Sequence, residues 1–336
     1  MSSAKYSIIL PVRNGGEYVK ECVGSILAQT LQNFNLIVLD NCSTDGTREW
    51  IASLQHEKIT IIPAERSLSI EENWRRIKDV SKNEFITLIG HDDILLPDYL
   101  QVMDELIAKY PDAGLYQTHF TYIDSAGKTL RKCKPMPLIE TGTEFLKSCL
   151  TNAFDVMGTG FMMRSKDYDA VGGIPNYPNL IFADLELWFR LTITSYKATS
   201  AETCFSFRLH QSTTTTTSDE KLHAAFAQVI TWLEELQKEN AAAVKVIKEH
   251  VLGFIHHYCK FLSHRLLRTP KQLRNGKTVA MIIKECKGYA DRLLPGNSYD
   301  PMADGKIRMA RQIDSNIIMR KLFLLFKKIY SKPVYR

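Results

Sequence analysis

An apolar, β-branched run, Ile86-Thr87-Leu88-Ile89, stops abruptly at Gly90-His91-Asp92-Asp93: a small residue, an imidazole and two adjacent carboxylates. Acids held side by side repel one another and are costly to take out of water, so a cation or a hydrogen-bonding ligand is their natural complement. A divalent metal holding a diphosphate would serve, since Mg²⁺ and Mn²⁺ prefer oxygen ligands and bridge carboxylates to phosphates. The plainer alternative is an acidic turn that caps the following helix.

Three further groups could do chemistry. Asp40 closes a second apolar run and leads into Asn41-Cys42-Ser43-Thr44-Asp45-Gly46-Thr47, where Ser43 or Thr44 could cap a helix; capping leaves Asp40 itself unexplained. Asp184 opens an amphipathic stretch with Leu187, Trp188 and Leu191 on its apolar face. Helix capping by Asp184, with Glu186 pairing Arg190 one turn on, is the structural alternative there. Phe205-Ser206-Phe207-Arg208-Leu209-His210 alternates, setting Arg208 and His210 on one side of a strand and aromatics on the other.

The elements that must position these groups alternate in type. Strands are predicted at 6–12, 35–40, 59–62 and 85–89, and helices at 18–31, 44–54 and 70–80. That alternation indicates a parallel sheet with crossover helices, and ligands of such sheets bind beyond the carboxyl ends of the strands, where Arg13, Asp40 and His91-Asp92-Asp93 fall. A hairpin is predicted around Asp124–Gly127 and a helix over 140–150. Beyond Asp219 the pattern turns almost wholly helical, continuous from Leu222 to Arg268 and resuming at Ile307–Tyr330. The domain boundary is placed in the Ser/Thr run at 213–219, a loop or lid, giving domains of 1–215 and 216–336.

Ser7-Ile8-Ile9-Leu10-Pro11-Val12-Arg13-Asn14, the segment from Val38 to Thr47, and Phe85 to Asp93 together resemble the family 2 glycosyltransferases over roughly the first 215 residues. The resemblance implies a GT-A fold, an α/β architecture with a mostly parallel sheet flanked by helices, here carrying a mostly helical C-terminal extension. It also implies a nucleotide-diphosphate sugar donor, with UDP the expected nucleotide, and inversion at the anomeric carbon. By resemblance Pro11, Arg13, Asp40, Asn73, Asp92 and Arg208 bind the donor, with Asp40 on the base and Asp92 on the ribose or base. Asp93 and His210 would hold Mn²⁺ or Mg²⁺ on the diphosphate, and Asp184 would be the catalytic base. The family segment usually reads Glu-Asp-x-Asp-Leu-Trp, whereas this chain has Ala183 and Glu186 at the flanking acids, and His91 where relatives commonly have an acid. Met157-Gly158-Thr159-Gly160 reads as turns and, by resemblance, lies beside the donor sugar. An inverting transfer needs a carboxylate to take the acceptor proton and positive charge on the departing diphosphate.

Bulk properties are those expected of a soluble globular protein: 45% hydrophobic and 24% charged residues in 336. Seven scattered cysteines suggest neither a disulfide framework nor a zinc site and fit a reducing cytoplasm. No signal peptide is read at the start, and no segment reaches the roughly 18–20 apolar residues of a membrane span. Net charge is +6, yet residues 261–336 hold 17 Lys/Arg against 5 Asp/Glu. Met319–Tyr330, an apolar core flanked by cations, suits an anionic membrane surface at the inner face of the plasma membrane, or a protein surface such as a second subunit. Nucleic acid is not an expected partner. The expected acceptor is a glycan or lipid-linked glycan of a surface polysaccharide. Two rivals are a non-catalytic module of the same fold and a sugar nucleotidyltransferase, although the latter's Gly-rich, Arg-containing loop is poorly matched by Arg13-Asn14-Gly15-Gly16.

Overall fold

A computed structural model describes residues 4–155, 157–209 and 217–330. Contacts divide the chain into two compact units, one of residues 1–145 and 154–210, the other of 146–153 and 211–336.

The first unit is built on one mixed sheet. β1 (Tyr6–Val12) is buried at all seven positions, as a central parallel strand covered on both faces must be. It pairs in parallel with β2 (Phe34–Asp40) on one side and β4 (Phe85–Leu88) on the other, while β3 (Ile59–Ile61) lies outside β2. The intervening helices are α1 (Gly16–Leu27), α2 (Thr47–Ser53) and α3 (Ile70–Arg75). The last is shorter than predicted because the chain tightens into a 3₁₀ turn at Arg76–Asp79.

Beyond β4 the parallel pattern ends. β5 (Ile94–Leu95), α4 (Tyr99–Lys109), β6 (Leu115–Ile123) and β7 (Thr129–Lys132) follow, the last two forming the predicted hairpin. β8 (Ile139–Thr141) occupies what the sequence suggests is the start of α5 (Gly142–Leu150). β9 (Phe161–Arg164) then inserts antiparallel between β4 and β6. After α6 (Ser165–Ala170) and α7 (Ala183–Thr192), the long β10 (Tyr196–Arg208) runs parallel to β6 and antiparallel to β5. The order is β3-β2-β1-β4-β9-β6-β10-β5. Strand order reverses about β1, so the β1–β4 edge is the crevice where such sheets take ligands.

The second unit carries α8 (Asp219–Glu239), α9 (Ala241–Arg268), α10 (Val279–Leu293), α11 (Gly305–Ser315) and α12 (Ile317–Tyr330). The predicted continuous helix is broken at Asn240, which ends α8 in an extended conformation and caps α9, its side chain accepting from the Ala243 amide at 2.8 Å. No helix among the described residues is long and apolar enough to cross a membrane.

Candidate active site

The turn after β4 buries Asp93 almost completely (2% exposed). Its Oδ2 accepts from the Thr159 hydroxyl at 2.6 Å and its Oδ1 from the Arg208 amide at 3.1 Å. Burial, reinforced by the neighbouring charge of Asp92, pushes the Asp93 carboxyl well above the usual carboxylate range despite those bonds. A Cβ on Gly90 would lie 2.7 Å from Asp92 Oδ1 and 3.1 Å from Asp93 Oδ2, so both acids converge on space that only glycine leaves open.

Thr159 also ties this turn to the second acid. The preceding residue, Gly158, lies beside Asp184, whose Oδ2 is 3.8 Å from where a Gly158 Cβ would stand. One short segment therefore bonds Asp93 through Thr159 and passes beside Asp184 at Gly158. Gly160 completes it at φ +75°, where a Cβ would meet the Phe205 ring at 2.8 Å, so this approach requires glycine. Asp184 sits in the first turn of α7, its Oδ1 accepting from the Leu185 amide at 2.9 Å. Desolvation outweighs that bond and pushes its carboxyl up to about 6. The helix is anchored by Trp188, stacked on Phe161 at 4.5 Å. Glu186 is buried, accepting from the Tyr177 hydroxyl at 2.6 Å and pairing with Arg190, which leaves Asp184 as the acid of this segment available for chemistry.

The approach to α7 is strained. Asn179, Leu180 and Phe182 all adopt positive φ (52°, 56° and 69°), which costs non-glycine residues energy and clusters at functional sites. Nothing in the residue types signals this run.

Asp40 ends β2 in register with Val12 of β1 and is buried. The Ser43 amide donates weakly to both its carboxylate oxygens at 3.4 Å. Asn73, also buried, donates to the Leu39 carbonyl at 3.3 Å and accepts from Arg76, which in turn donates to the carbonyls of Asp40 and Ile62. Asn73 thus braces the strand end that presents Asp40. Across β1, Pro11 is buried and Arg13 exposed. Asn14 at φ 53° ties this loop to the next, accepting from the Thr44 amide at 2.8 Å and donating its own amide to Ser43 Oγ at 3.0 Å.

Arg208 is buried and surrounded. Its Nε donates to the Asp92 carbonyl at 2.8 Å, Nη1 to the carbonyls of Asp124 and Ser125 at 3.3 Å, and Nη2 to Glu21, while the guanidinium lies over the Tyr18 ring at 4.6 Å. It holds the Asp92-Asp93 turn against α1 and the β6–β7 hairpin. The sequence does not single out Tyr18, Glu21 or Thr159; the Arg208–Glu21 contact spans 187 positions and no local spacing announces it. The predicted ligand His210 and residues 213–216 of the predicted loop or lid at 213–219 lie outside the described residues, and the rest of that run leads into α8, which Ser218 caps.

The family model for glycosyl transferase family 2 matches residues 7–172, which include Asp40, Asp92 and Asp93. This chain belongs to that family. Among its relatives, an uncharacterized glycosyltransferase of Rickettsia typhi is 26% identical over 288 residues, covering 83% of this chain and 89% of that protein. An uncharacterized glycosyltransferase of Rickettsia conorii is 30% identical over 190 residues, 55% of this chain but 31% of that protein, so the match spans about a third of its length. The crystal structure of S. aureus TarS residues 1–349 superposes with a TM-score of 0.63 at 13% identity, covering 98% of this chain and 93% of that one. This chain thus shares a GT-A architecture with TarS.

The family commonly uses a divalent metal, and the donor set fits one. Asp92 and Asp93 offer only oxygen, the ligand that Mg²⁺ and Mn²⁺ prefer, around the gap at Gly90. No third His, Cys, Asp or Glu joins a metal-binding group among the described residues. Mg²⁺ in particular usually keeps several waters and takes one or two carboxylates plus substrate phosphates.

Proposed function

We propose that the first unit transfers a sugar, with inversion, from a UDP-sugar to a hydroxyl of a glycan or lipid-linked glycan in surface polysaccharide synthesis. The observation that carries this reading is the Gly158-Thr159 segment, which bonds a carboxylate suited to the diphosphate end of a donor and passes beside one suited to proton transfer. TarS, which shares the fold, has been crystallised with UDP-GlcNAc and with UDP.

Asp184, ionised above about pH 6, accepts the acceptor hydroxyl proton as the new C1–O bond forms on the face opposite the leaving group. The C1–O bond to the diphosphate breaks, and the nucleoside diphosphate leaves with the electron pair. Asp93 would hold Mn²⁺ or Mg²⁺, with Asp92 beside it toward the ribose or base, and the metal when bound would neutralise charge on the departing diphosphate. Asp40 contacts the base and Arg13 the donor. Pro11 and Asn73 serve the donor by shaping and bracing the strand ends, and Arg208 by fixing the acidic turn. UDP with Mn²⁺ should raise the melting temperature by several degrees, more than either alone, because binding at about 100 Kd adds about 2.7 kcal/mol to the folded state. Identical melting curves in all four conditions would overturn the donor assignment.

The same reading assigns α12 to an anionic membrane surface. Ile318, Leu322, Leu325, Phe326 and Ile329 form one exposed apolar arc, flanked by Lys321 and Lys328, while Arg320 points inward. Leu322→Glu with Leu325→Glu changes exposed positions only. Wild-type protein should float with vesicles rich in anionic lipid and the variant should stay behind; equal flotation would discard the membrane assignment.

A further inference from the structure

The second unit contains a cavity of about 720 Å³ that the transfer reaction does not use. His257, Lys260, His264 and Arg268 line it along one stripe of α9, and Lys306 closes it from the start of α11; no acid is among its lining residues. The nearest carboxylates are committed elsewhere. Asp304 accepts from His256 Nε2 at 2.9 Å and caps α11, with Lys260 Nζ a distant 3.9 Å away, and Asp219 is paired with Arg265 at 2.7 Å. His264 Nε2 is buried without a partner. Behind the lining residue Thr269, Arg274 Nε and Arg320 Nη2 both donate to its carbonyl at 2.8 Å, and each guanidinium keeps one buried N–H unpaired. Asp314 opposes both cations, bonding directly to Arg274.

Excess positive charge, an unpaired imidazole nitrogen and the lack of acids all call for the same complement, an anion with several acceptor oxygens. We infer that this cavity binds a phosphate oxyanion, with Lys260, Arg268 and Lys306 supplying charge and His257 and His264 supplying ring N–H donors. Burial, together with the surrounding cations, lowers both imidazoles below their ordinary range, so without an anion they add donors and no further charge. The shared chemistry is a terminal phosphate or diphosphate, carried by a lipid headgroup or by a soluble molecule. The inference rests on the second unit alone and stands apart from the donor-site reading.

The test uses the full chain and Arg268→Glu/Lys306→Glu, two solvent-facing changes whose folding is checked by the melting curve. Titration calorimetry with inorganic phosphate and with pyrophosphate at low salt tests the soluble source. Co-sedimentation with phosphatidylcholine vesicles containing either phosphatidic acid or phosphatidylserine at matched surface charge tests the lipid source. Saturable binding of a free anion, or preference for phosphatidic acid, weakened at least tenfold in the variant, supports the site, and UDP binding unchanged in that variant separates it from the donor site. Absence of saturable free-anion binding together with no preference between the two acidic lipids, or equal affinity of wild type and variant, overturns it.

Discussion

Asp184→Asn is expected to fold normally and to lose sugar transfer by about two or more orders of magnitude, the usual contribution of a general base. The amide is isosteric, and its oxygen can keep the 2.9 Å bond from the Leu185 amide that Asp184 Oδ1 accepts. The packing that holds α7, Trp188 on Phe161 and Glu186 between Tyr177 and Arg190, does not involve this side chain. The pH dependence supplies a second reading of the same variant. With the carboxyl pushed up to about 6, the base is protonated below that pH, so wild-type turnover should fall on the acid side with a midpoint near 6. Asp184→Asn should lack that limb. For stability the sign is opposite: a carboxyl raised in the folded state stabilises fully below its unfolded value, and that contribution is lost as pH rises through about 6. The asparagine variant should therefore melt no lower than wild type at pH 7.5 while turning over far more slowly. Near-unchanged turnover in the purified variant would remove Asp184 from the mechanism.

The parts of this site that were readable in the sequence are those in which one strand ends in one acid. Asp40 and Asp92-Asp93 each follow an unbroken apolar run, and parallel pairing to β1 carries both strand ends to the same edge. The antiparallel entry of β9 was not readable, because a four-residue buried strand has no periodicity that specifies direction. Its consequence is large, since β9 brings Gly158-Thr159 beside both acids. Arg208 illustrates a different limit. Alternation correctly placed it on β10, but its anchors arrive from α1, the acidic turn and the hairpin, and only the assembled sheet shows the guanidinium enclosed by them. The positive-φ run before α7 is likewise set by tertiary packing, since neither Leu180 nor Phe182 favours that conformation.

Asp93→Asn should separate the two opposing demands on the acidic turn. In the free protein the Asp93 carboxylate is buried beside Asp92, and the Arg208 guanidinium that might have compensated it is instead bound to the Asp92 carbonyl, Glu21 and the hairpin. The Thr159 hydroxyl and Arg208 amide soften that cost without removing it, because burial still dominates and holds the carboxyl well above its ordinary range. An asparagine can accept from the Arg208 amide and donate to the Thr159 hydroxyl, so removing the charge keeps the geometry and relieves the repulsion. The metal-free variant should consequently melt at or above the wild-type temperature at pH 7.5, because the asparagine no longer has to be desolvated as a charge beside Asp92. The proposed Mn²⁺ site then predicts the reverse for the loaded protein: UDP with Mn²⁺ should stabilise wild type, whereas the variant should show little response to the metal and lose transfer by about a hundredfold or more. A structural acid would behave otherwise, since its replacement would lower the metal-free melting temperature and leave the metal-dependent increment intact. Measuring both melting curves with and without Mn²⁺ distinguishes a carboxylate kept at a folding cost for its ligand from one kept for the turn.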